Sequence, residues 1–433
     1  MQKTMCYTHI PTVEEKSLSD FKIPFLIGLL GLYPLYSLVL PSFLSYSILY
    51  GYMLIFMGVW FNFRQQRRLS ELAPQGVRLI LVLLFFWLVV SFMRGAFILE
   101  TYWDVKTYFT SLMAYSLLIF IYVGMDIDIM GAIYRFWLKY IIWFFPLFQL
   151  CLESGVSVCL MPIGFLLIFI EKLPWRWALF MLIAVIQLMV WDFSARTVFI
   201  KFLGAILLGF GAYLLPKARA SVIPKIMHCL FIILPWIFLW TSVNYIFNPF
   251  QLESAFSSPK IFVTSHVGEE LLLADSRTFL YEEVFHTLSD SGSWVAGRSP
   301  ALGYVTYKSM FADVAMEFLG RPERYGSEVG ILNIFLWFGC IGVALFFGVF
   351  LVSSSLAVYC SNNRFVQLLG VYVSFLWSWS WVWGKESFSS YYLFSILIMG
   401  LCISPAFRKM TEKEFSIWLN GMLPFGRDKK LQS

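Results

Sequence analysis

Charged residues are scarce in this chain. Only 13% of its 433 residues are charged, whereas 59% are hydrophobic and 19% are aromatic. A soluble globular domain has roughly a quarter of its residues charged, so this deficit excludes a water-soluble fold. In lipid, every backbone polar group needs an internal partner, which leaves helices or closed barrels. The apolar runs are continuous and do not alternate, so the sequence predicts an all-α polytopic integral membrane protein.

Other absences narrow the function. The start of the chain, Met1–Lys22, lacks the pattern of a cleavable signal peptide, so we expect the apolar run Ile23–Leu40 to target the protein and stay. The sequence contains neither a P-loop nor a dinucleotide-binding fingerprint, so it offers no site for ATP-driven chemistry. We also expect no nucleic-acid partner and no cofactor. The cysteines fit neither a zinc site nor a disulfide framework, and we interpret them as packing residues or unreactive exposed thiols. These are Cys6, Cys151, Cys159, Cys229, Cys340, Cys360 and Cys402.

Long apolar runs are the dominant positive feature. Their lengths predict about 12 transmembrane helices. The expected limits are 23–40, 43–62, 78–93, 108–124, 136–152, 156–170, 176–191, 197–215, 226–243, 328–353, 365–383 and 388–405. Because only three residues separate 136–152 from 156–170, those two segments alternatively form one re-entrant pair. The expected organisation is about nine spans in 1–243, a large loop in 244–327, about three spans in 328–407, and a tail in 408–433.

The distribution of lysine and arginine predicts the orientation. With the N-terminus inside, roughly two-thirds of the cations lie on the cytoplasmic side, as the positive-inside rule expects. The opposite orientation would place Arg64, Arg67 and Arg68 outside. We therefore expect cytoplasmic termini and an extracytoplasmic 244–327 loop that contains short amphipathic helices.

The loop contains an arginine in an unusual setting. Residues 274–288 have helical periodicity, with Asp275 or Ser276 as a possible N-cap. Arg277 is expected on the apolar face of this helix, in a first turn where a cation opposes the helix dipole. The pattern favours a bound anion beside Arg277, and a buried carboxylate partner is the alternative.

Further along the loop, Gly297, Arg298 and Gly303 predict an irregular turn that ends near Tyr304. A guanidinium among exposed backbone amides suits phosphate oxygens, although an ordinary surface turn has the same composition. A second amphipathic helix is expected to follow and to end at Gly320. Arg321 and Arg324 then lead back to the membrane.

Glu328 stands at the mouth of the next expected span. A carboxylate there could accept a proton from a hydroxyl group. The alternative is structural, because Ser327 could cap the helix and Glu328 could favour its dipole. Three more cations, Arg94, Arg196 and Lys201, are expected at the outer membrane edge. Cations at that depth need an anion or a route to water, and for Arg196 an ion pair with Asp192 is the alternative.

Several weaker signals have ordinary explanations. His286 is expected on a solvated face, four residues after Glu282, and His266 is the loop's other histidine. Asp126-Ile-Asp128 resembles a metal-binding motif of glycosyltransferases, but chance is the better account, and we expect no metal site. The tryptophans near the end of the eleventh span are interpreted as an interfacial belt, with stacking on sugar rings as the alternative. They are Trp377, Trp379, Trp381 and Trp383.

The combined pattern resembles a known superfamily. The features are many apolar spans, Ser194-Ala-Arg196-Thr197 at an outer turn, Ser276-Arg277, Gly297-Arg298 and Glu328-x-Gly330 around a late external loop, and Phe338-Gly-Cys-Ile-Gly342 after it. They resemble the O-antigen polymerases and O-antigen ligases. The resemblance covers roughly Val190–Phe350, and its motifs are short.

Membership would imply a GT-C-type glycosyltransferase of the bacterial inner membrane, independent of metals and nucleotide sugars. Its donor would be a glycan on undecaprenyl diphosphate, and a chain-length regulator is a possible partner. The ligases carry a histidine where this chain has Glu328, which favours a polymerase of lipid-linked repeat units. A ligase acting on lipid A core and a flippase remain the alternatives.

The residues alone support the same assignment of roles. Arginines at the outer membrane edge would stabilise charge on a leaving diphosphate, and a carboxylate would activate the acceptor hydroxyl. Arg196, Arg277 and Arg298 are therefore predicted to bind the diphosphate and Glu328 to act as the base. Supporting substrate contacts are predicted for Arg321, Arg324, Tyr304, Arg94 and Lys201.

Overall fold

A computed structural model describes most of the chain from Ala73 onward. The described residues are 23–25, 27, 28, 30, 32, 51, 54, 58, 73–144, 160–191, 196–214, 222–244, 246–251, 262–265, 268–271, 277–307, 312, 313, 315–317, 320–384 and 388–424. For 161, 188–191, 196–199, 201, 212–214, 262–265 and 268–271 only the backbone is described. The two expected spans before residue 63 lie almost entirely outside these ranges.

The described part is mostly helical. Its helices are α1 (Gln75–Ala96), α2 (Tyr102–Gly124), α3 (Ile127–Lys139), α4 (Trp175–Trp191), α5 (Arg196–Leu214), α6 (Val222–Val243), α7 (Thr278–Asp290), α8 (Gly330–Tyr359), α9 (Arg364–Ser380), α10 (Ser390–Ile403), α11 (Pro405–Lys409) and α12 (Glu412–Met422). Within α2 the turn Leu117–Phe120 is a 3₁₀-helix, and further 3₁₀ segments are Ile141–Phe144 and Met161–Phe169. Two antiparallel ladders pair β1 (Phe262–Ser265) with β2 (Gly268–Leu271) and β3 (Tyr304–Val305) with β4 (Glu323–Arg324).

Helix α1 shows why this fold needs lipid. One stripe, which includes Val77, Leu81, Leu84 and Leu88, is buried against the rest of the protein. The opposite stripe is equally apolar but exposed, with Phe86 at 64% exposure. A helix that is apolar on both its buried and its exposed faces is suited to hydrocarbon. Its 22 residues are enough to cross a bilayer.

Helix α8 lies at the centre of the bundle. It packs against α1, α6, α9 and α10, and its first turns, from Gly330 to Gly339, are buried. Between α10 and the last turn of α2 the backbones touch. A Cβ on Gly124 would lie 2.3 Å from the Leu397 carbonyl oxygen, and one on Gly400 would lie 2.1 Å from that of Ile121. Such small residues let helices approach closely where no hydrophobic effect drives them together.

The membrane class predicted from composition is confirmed in its broad form. Among the described residues, four helices are long and apolar enough to span a membrane, namely Gln75–Ala96, Tyr102–Gly124, Val222–Val243 and Gly330–Tyr359. Shorter apolar helices lie in α4, α5 and α10. The total of about 12 spans and the domain limits stay predictions.

One expected span is wrong in its limits. The segment 136–152 was expected to be a continuous apolar helix, but α3 begins at Ile127 and ends at Lys139, where Tyr140 leaves helical geometry. The start is fixed by Asp126, whose carboxylate accepts hydrogen bonds from the backbone N–H groups of Asp128 and Ile129. The resemblance of this Asp-Ile-Asp run to a metal motif is thus explained by helix capping.

The two ends of the bundle differ in what covers them. At one end, which we call the tail end, α11 and α12 pack under the helices, and Arg364 contacts Glu171 (2.5 Å) and Glu412 (3.6 Å). Helix α12 begins with a capping box between Thr411 and Glu414. At the other end, the loop end, the described residues between 277 and 329 cover the end of α1 and the starts of α2 and α8.

Three tryptophans in and directly after α9 do not form an interfacial belt. Trp377, Trp379 and Trp381 are 0%, 7% and 4% exposed. They are enclosed because α9 lies between α6 and α8, where Trp236 packs edge-to-face on Trp381 (ring centroids 4.9 Å apart). The belt interpretation is therefore wrong for these three residues, and their rings are not open for stacking on a sugar.

Candidate functional site

The loop end is built around a break in α8. Gly339 has φ +65°, a left-handed conformation that interrupts the helix. Residues 294–298 of the loop fill the break and complete its hydrogen bonds. The Arg298 N–H donates to the Leu336 carbonyl (2.6 Å), and the Cys340 N–H donates to the Trp294 carbonyl (2.8 Å). The loop is thus joined to the central helix by backbone bonds.

Side chains of helix α1 also bind loop residues 294–298 and the break in α8. The Arg94 guanidinium donates to the carbonyls of Ala296 (2.9 Å) and Gly297 (3.0 Å). The Trp87 indole N–H donates to the Phe338 carbonyl (2.9 Å), beside the break. The structure therefore gives Arg94 a structural role in fixing the loop, and substrate contact by Arg94 stays a prediction.

Arg277 and Glu328 meet above the start of α8. Their side chains form an ion pair with 2.8 Å between Nη1 and Oε2, in which Arg277 is 20% exposed and Glu328 is 54% exposed. Arg277 is the residue just before α7, which begins at Thr278. The expectation of an arginine inside the first turn on the apolar face is corrected by this later start. The proposed caps Asp275 and Ser276 lie outside the described residues.

The backbone around this pair is anchored on the bundle. Ser327 is tied to Asn333 of α8, with its N–H donating to Oδ1 (2.7 Å) and its carbonyl accepting from Nδ2 (2.9 Å). The Gly384 N–H, just beyond α9, donates to the Glu328 carbonyl (3.2 Å). Glu328 precedes the helix, which starts at Gly330 with Val329 as its N-cap. Its carboxylate therefore projects from a fixed main chain, outside the first turn where the structural alternative placed it.

Arg298 and Arg321 are held by buried carboxylates. Arg298 contacts Glu323 (3.2 Å) and donates to the Gly303 carbonyl (2.6 Å). Arg321 forms an ion pair with Asp104, which is completely buried at the start of α2, and also contacts Glu323 (3.5 Å). Both arginines have acidic partners that are buried, so diphosphate binding by them stays a prediction that the geometry does not favour.

Tyr304 lies at the centre of the charged residues. It is completely buried, pairs with Arg324 across the β3–β4 ladder, and has the Arg324 guanidinium 5.8 Å from its ring centre. Burial raises the pKa of Tyr304 to about 12, opposed by the positive charge of Arg324 and reinforced by the nearby carboxylates of Glu283 and Glu328. Tyr304 is therefore a neutral hydroxyl at any physiological pH.

Arg196 and Lys201 cannot be placed against this site. Both belong to α5, which Arg196 begins, and only the backbone is described at each. Their predicted roles lie outside the described side chains. His286 is exposed as expected, with Asp290 (2.7 Å) and the Tyr307 hydroxyl (2.9 Å) as its contacts.

Comparisons of the chain with protein-family models, curated proteins and solved structures found no match.

The buried carboxylates of the site were not predicted from the sequence. Asp104, Glu283 and Glu323 are all buried and hold the loop together. Asp104 could have been found from the sequence, because Thr101-x-x-Asp104 before an apolar run is a capping-box pattern. The structure shows this capping box at the start of α2. Glu283 lies on the inward stripe of α7 and accepts hydrogen bonds from the Thr306 hydroxyl (2.8 Å) and the Tyr307 N–H (2.9 Å). Nothing local in the sequence singles out Glu323.

Three arginines of the site are paired with carboxylates, which bears on where an anion can bind. Arg277 contacts Glu328, Arg298 contacts Glu323 and Arg321 contacts Asp104, and no three His, Cys, Asp or Glu side chains described here converge as a metal site would require. At each of these three pairs, an anion has to replace the carboxylate on its arginine. Exposure makes Glu328 the carboxylate that leaves most easily, because Asp104 and Glu323 are buried.

Proposed function

We propose that this protein is a glycosyltransferase of the extracytoplasmic membrane surface, which polymerises lipid-linked polysaccharide repeat units. The donor is a glycan on a polyprenyl diphosphate such as undecaprenyl diphosphate, and the acceptor is a sugar hydroxyl of the next repeat. The observation that carries the proposal is the Arg277–Glu328 pair. It places a cation for the leaving diphosphate and a carboxylate for the acceptor hydroxyl 2.8 Å apart at the mouth of α8.

The position of the pair within the bundle supports a lipid-linked substrate. Glu328 is two residues before the buried start of α8, and Tyr281, one turn after Arg277, donates its hydroxyl to the Trp381 carbonyl at the end of α9. A diphosphate at Arg277 would therefore lie at the level where helices end, with its prenyl chain free to run along apolar helix surfaces. Burial raises the pKa of Tyr281, so this hydroxyl keeps its proton and its bond.

The charge distribution also favours surface chemistry over transport. Within the four described spans, charged side chains lie near the ends, such as Arg78 and Arg94 in α1 and Asp104 in α2. A flippase would need charged groups deep in its spans to carry an anionic head across. We place the loop end on the extracytoplasmic side of the inner membrane and the basic tail end in the cytoplasm.

The proposal is tested in cells of the source organism by deleting the gene and examining surface polysaccharide on a gel. Loss of a polymerase leaves single repeats, whereas loss of a ligase leaves long polymer on the carrier and loss of a flippase leaves no extracytoplasmic repeats. Complementation with Arg277→Ala or Arg196→Ala is expected to restore membrane insertion but not chain extension. Unchanged polymer length with both variants would remove these arginines from the mechanism.

A further inference from the structure

The ion pairs at the loop end fall into two kinds. The carboxylate side chains of Asp104 and Glu323 are 0% and 11% exposed, whereas that of Glu328 is 54% exposed. Removing a buried carboxylate from its arginine leaves an uncompensated charge in the protein interior. Removing Glu328 from Arg277 only returns a carboxylate to water, which costs little. Among the described arginine–carboxylate pairs of the loop end, this is therefore the one that can most easily change partners.

We propose that Arg277 and Glu328 form an exchange pair, in which the donor diphosphate replaces Glu328 on Arg277 and thereby releases the carboxylate that serves as the base. The inference rests on the proposed function and adds an order to it, with the donor bound before the base becomes available.

The guanidinium geometry makes the exchange chemically simple. Its planar fork donates hydrogen bonds to a carboxylate or to two phosphate oxygens in the same arrangement, and the diphosphate carries more charge. We expect the backbone to stay in place during the exchange. The Ser327–Asn333 hydrogen bonds and the hydrogen bond from the Gly384 N–H to the Glu328 carbonyl hold the main chain on both sides of the Glu328 side chain. Only rotation of the Glu328 side chain is required.

The transfer step then proceeds with every group in place. The acceptor hydroxyl gives its proton to the released Glu328 carboxylate as its oxygen bonds to the anomeric carbon. The bond from that carbon to the diphosphate breaks, and the electron pair stays on the diphosphate oxygen, beside Arg277. Without donor, the Glu328 carboxylate remains bound to Arg277, so it is not available to the acceptor or to water.

The exchange is tested by pyrophosphate binding to the purified full-length protein in nanodiscs, measured by calorimetry. Glu328→Gln removes the competing carboxylate, so its Kd for inorganic pyrophosphate is expected to fall roughly three- to tenfold below that of wild type. Arg277→Gln is expected to raise the Kd at least about tenfold. In cells, Glu328→Gln is expected to make no polymer despite its tighter binding.

Glu282→Gln is the matched control, because it removes the same charge from an exposed position of α7. We expect less than a twofold change in its Kd, roughly the scale of a screened surface charge. If Glu328→Gln binds no more tightly than Glu282→Gln while Arg277→Gln still weakens binding, the exchange is wrong and the proposed function stands. If wild type binds no pyrophosphate, the donor site itself is wrong.

Discussion

At the scale of single residues, Asp104 shows how a buried carboxylate joins a helix to a loop. One oxygen accepts hydrogen bonds from the backbone N–H groups of Thr101 (2.8 Å) and Glu100 (3.2 Å), which caps α2. The other accepts from the Tyr325 hydroxyl (2.6 Å) and pairs with Arg321. The start of a membrane helix and the re-entering end of the loop therefore depend on one side chain.

Replacing this carboxylate is expected to loosen the loop. Asp104→Asn keeps the size of the side chain but removes the charge that Arg321 and the backbone N–H groups contact, which should cost about 2 kcal/mol or more. Thermal unfolding in detergent measures the loss. The control is Glu100→Gln, an exposed residue four positions earlier, which should unfold like wild type. Equal unfolding temperatures for both variants would mean that Asp104 does not hold the loop.

Tyr304 is expected to affect stability only in strongly alkaline solution. Its pKa is raised by burial to about 12 in the folded protein, against an ordinary value near 10. Between these values the unfolded chain loses the proton and the folded protein keeps it. The stability contributed by the protonated form is therefore complete below pH 10 and is lost as the pH rises to 12.

The comparison with Tyr304→Phe isolates that contribution. The difference in stability between wild type and the variant should stay constant from pH 6 to pH 9, and wild type should lose up to about 2–3 kcal/mol relative to the variant from pH 10 to pH 12. Denaturant unfolding at each pH gives the difference. A change centred near pH 7 would show that the hydroxyl titrates in the physiological range, contrary to its burial.

At the scale of elements, the break in α8 is the feature on which the loop end depends. A Cβ at Gly339 would lie 2.3 Å from the Val295 carbonyl oxygen, and one at Gly297 would lie 2.5 Å from the Trp337 carbonyl carbon. Two backbones therefore touch at positions where both residues have positive φ. A straight helix would leave no room for residues 294–298 and would separate the loop from the bundle.

Gly339→Ala is expected to disrupt this junction. The new methyl group collides with the loop and opposes the left-handed backbone, which together should cost at least about 2 kcal/mol. Limited proteolysis should then cut the loop faster than in wild type. Gly348→Ala is the matched control on the same helix, since its Cβ would meet only Ile80 at 3.4 Å and alanine favours a helix. Equal cleavage of both variants would mean that the break does not secure the loop.

The positions of the helices were largely predictable from the sequence, whereas the contacts between side chains were not. Apolar run length located α1, α9, α10 and the start of α8 within a few residues, because in lipid a helix needs only continuous apolarity. It failed at α3, where a capping aspartate and charged residues determine the helix limits. Run length also says nothing of what surrounds a helix, so the α9 tryptophans looked lipid-facing although neighbouring helices enclose them.

At the scale of the whole molecule, the sequence identified the arginines of the site but not their environment. Arg277, Arg298, Arg321 and Arg324 do gather at one end of the bundle. Two of the carboxylates that pair with them come from distant parts of the chain, since Asp104 pairs with Arg321 and Glu328 pairs with Arg277. Such long-range pairing has no local signal in the sequence, which shows the arginines but neither their carboxylate partners nor the greater exposure of the Arg277–Glu328 pair.

The two ends of the bundle should be reached from opposite sides of the membrane. Ser291 is exposed at the loop end and Lys413 is exposed at the tail end, and the helices between them are long enough to span hydrocarbon. In a cysteine-free background, a membrane-impermeant maleimide added to cells with a permeabilised outer membrane should label Ser291→Cys. It should label Lys413→Cys only after the inner membrane is opened. Because the tail end carries Arg408, Lys409 and Lys413 close together, the positive-inside rule requires this result. Labelling of Lys413→Cys before Ser291→Cys would reverse the orientation and place the Arg277–Glu328 pair in the cytoplasm, away from extracytoplasmic lipid-linked glycans.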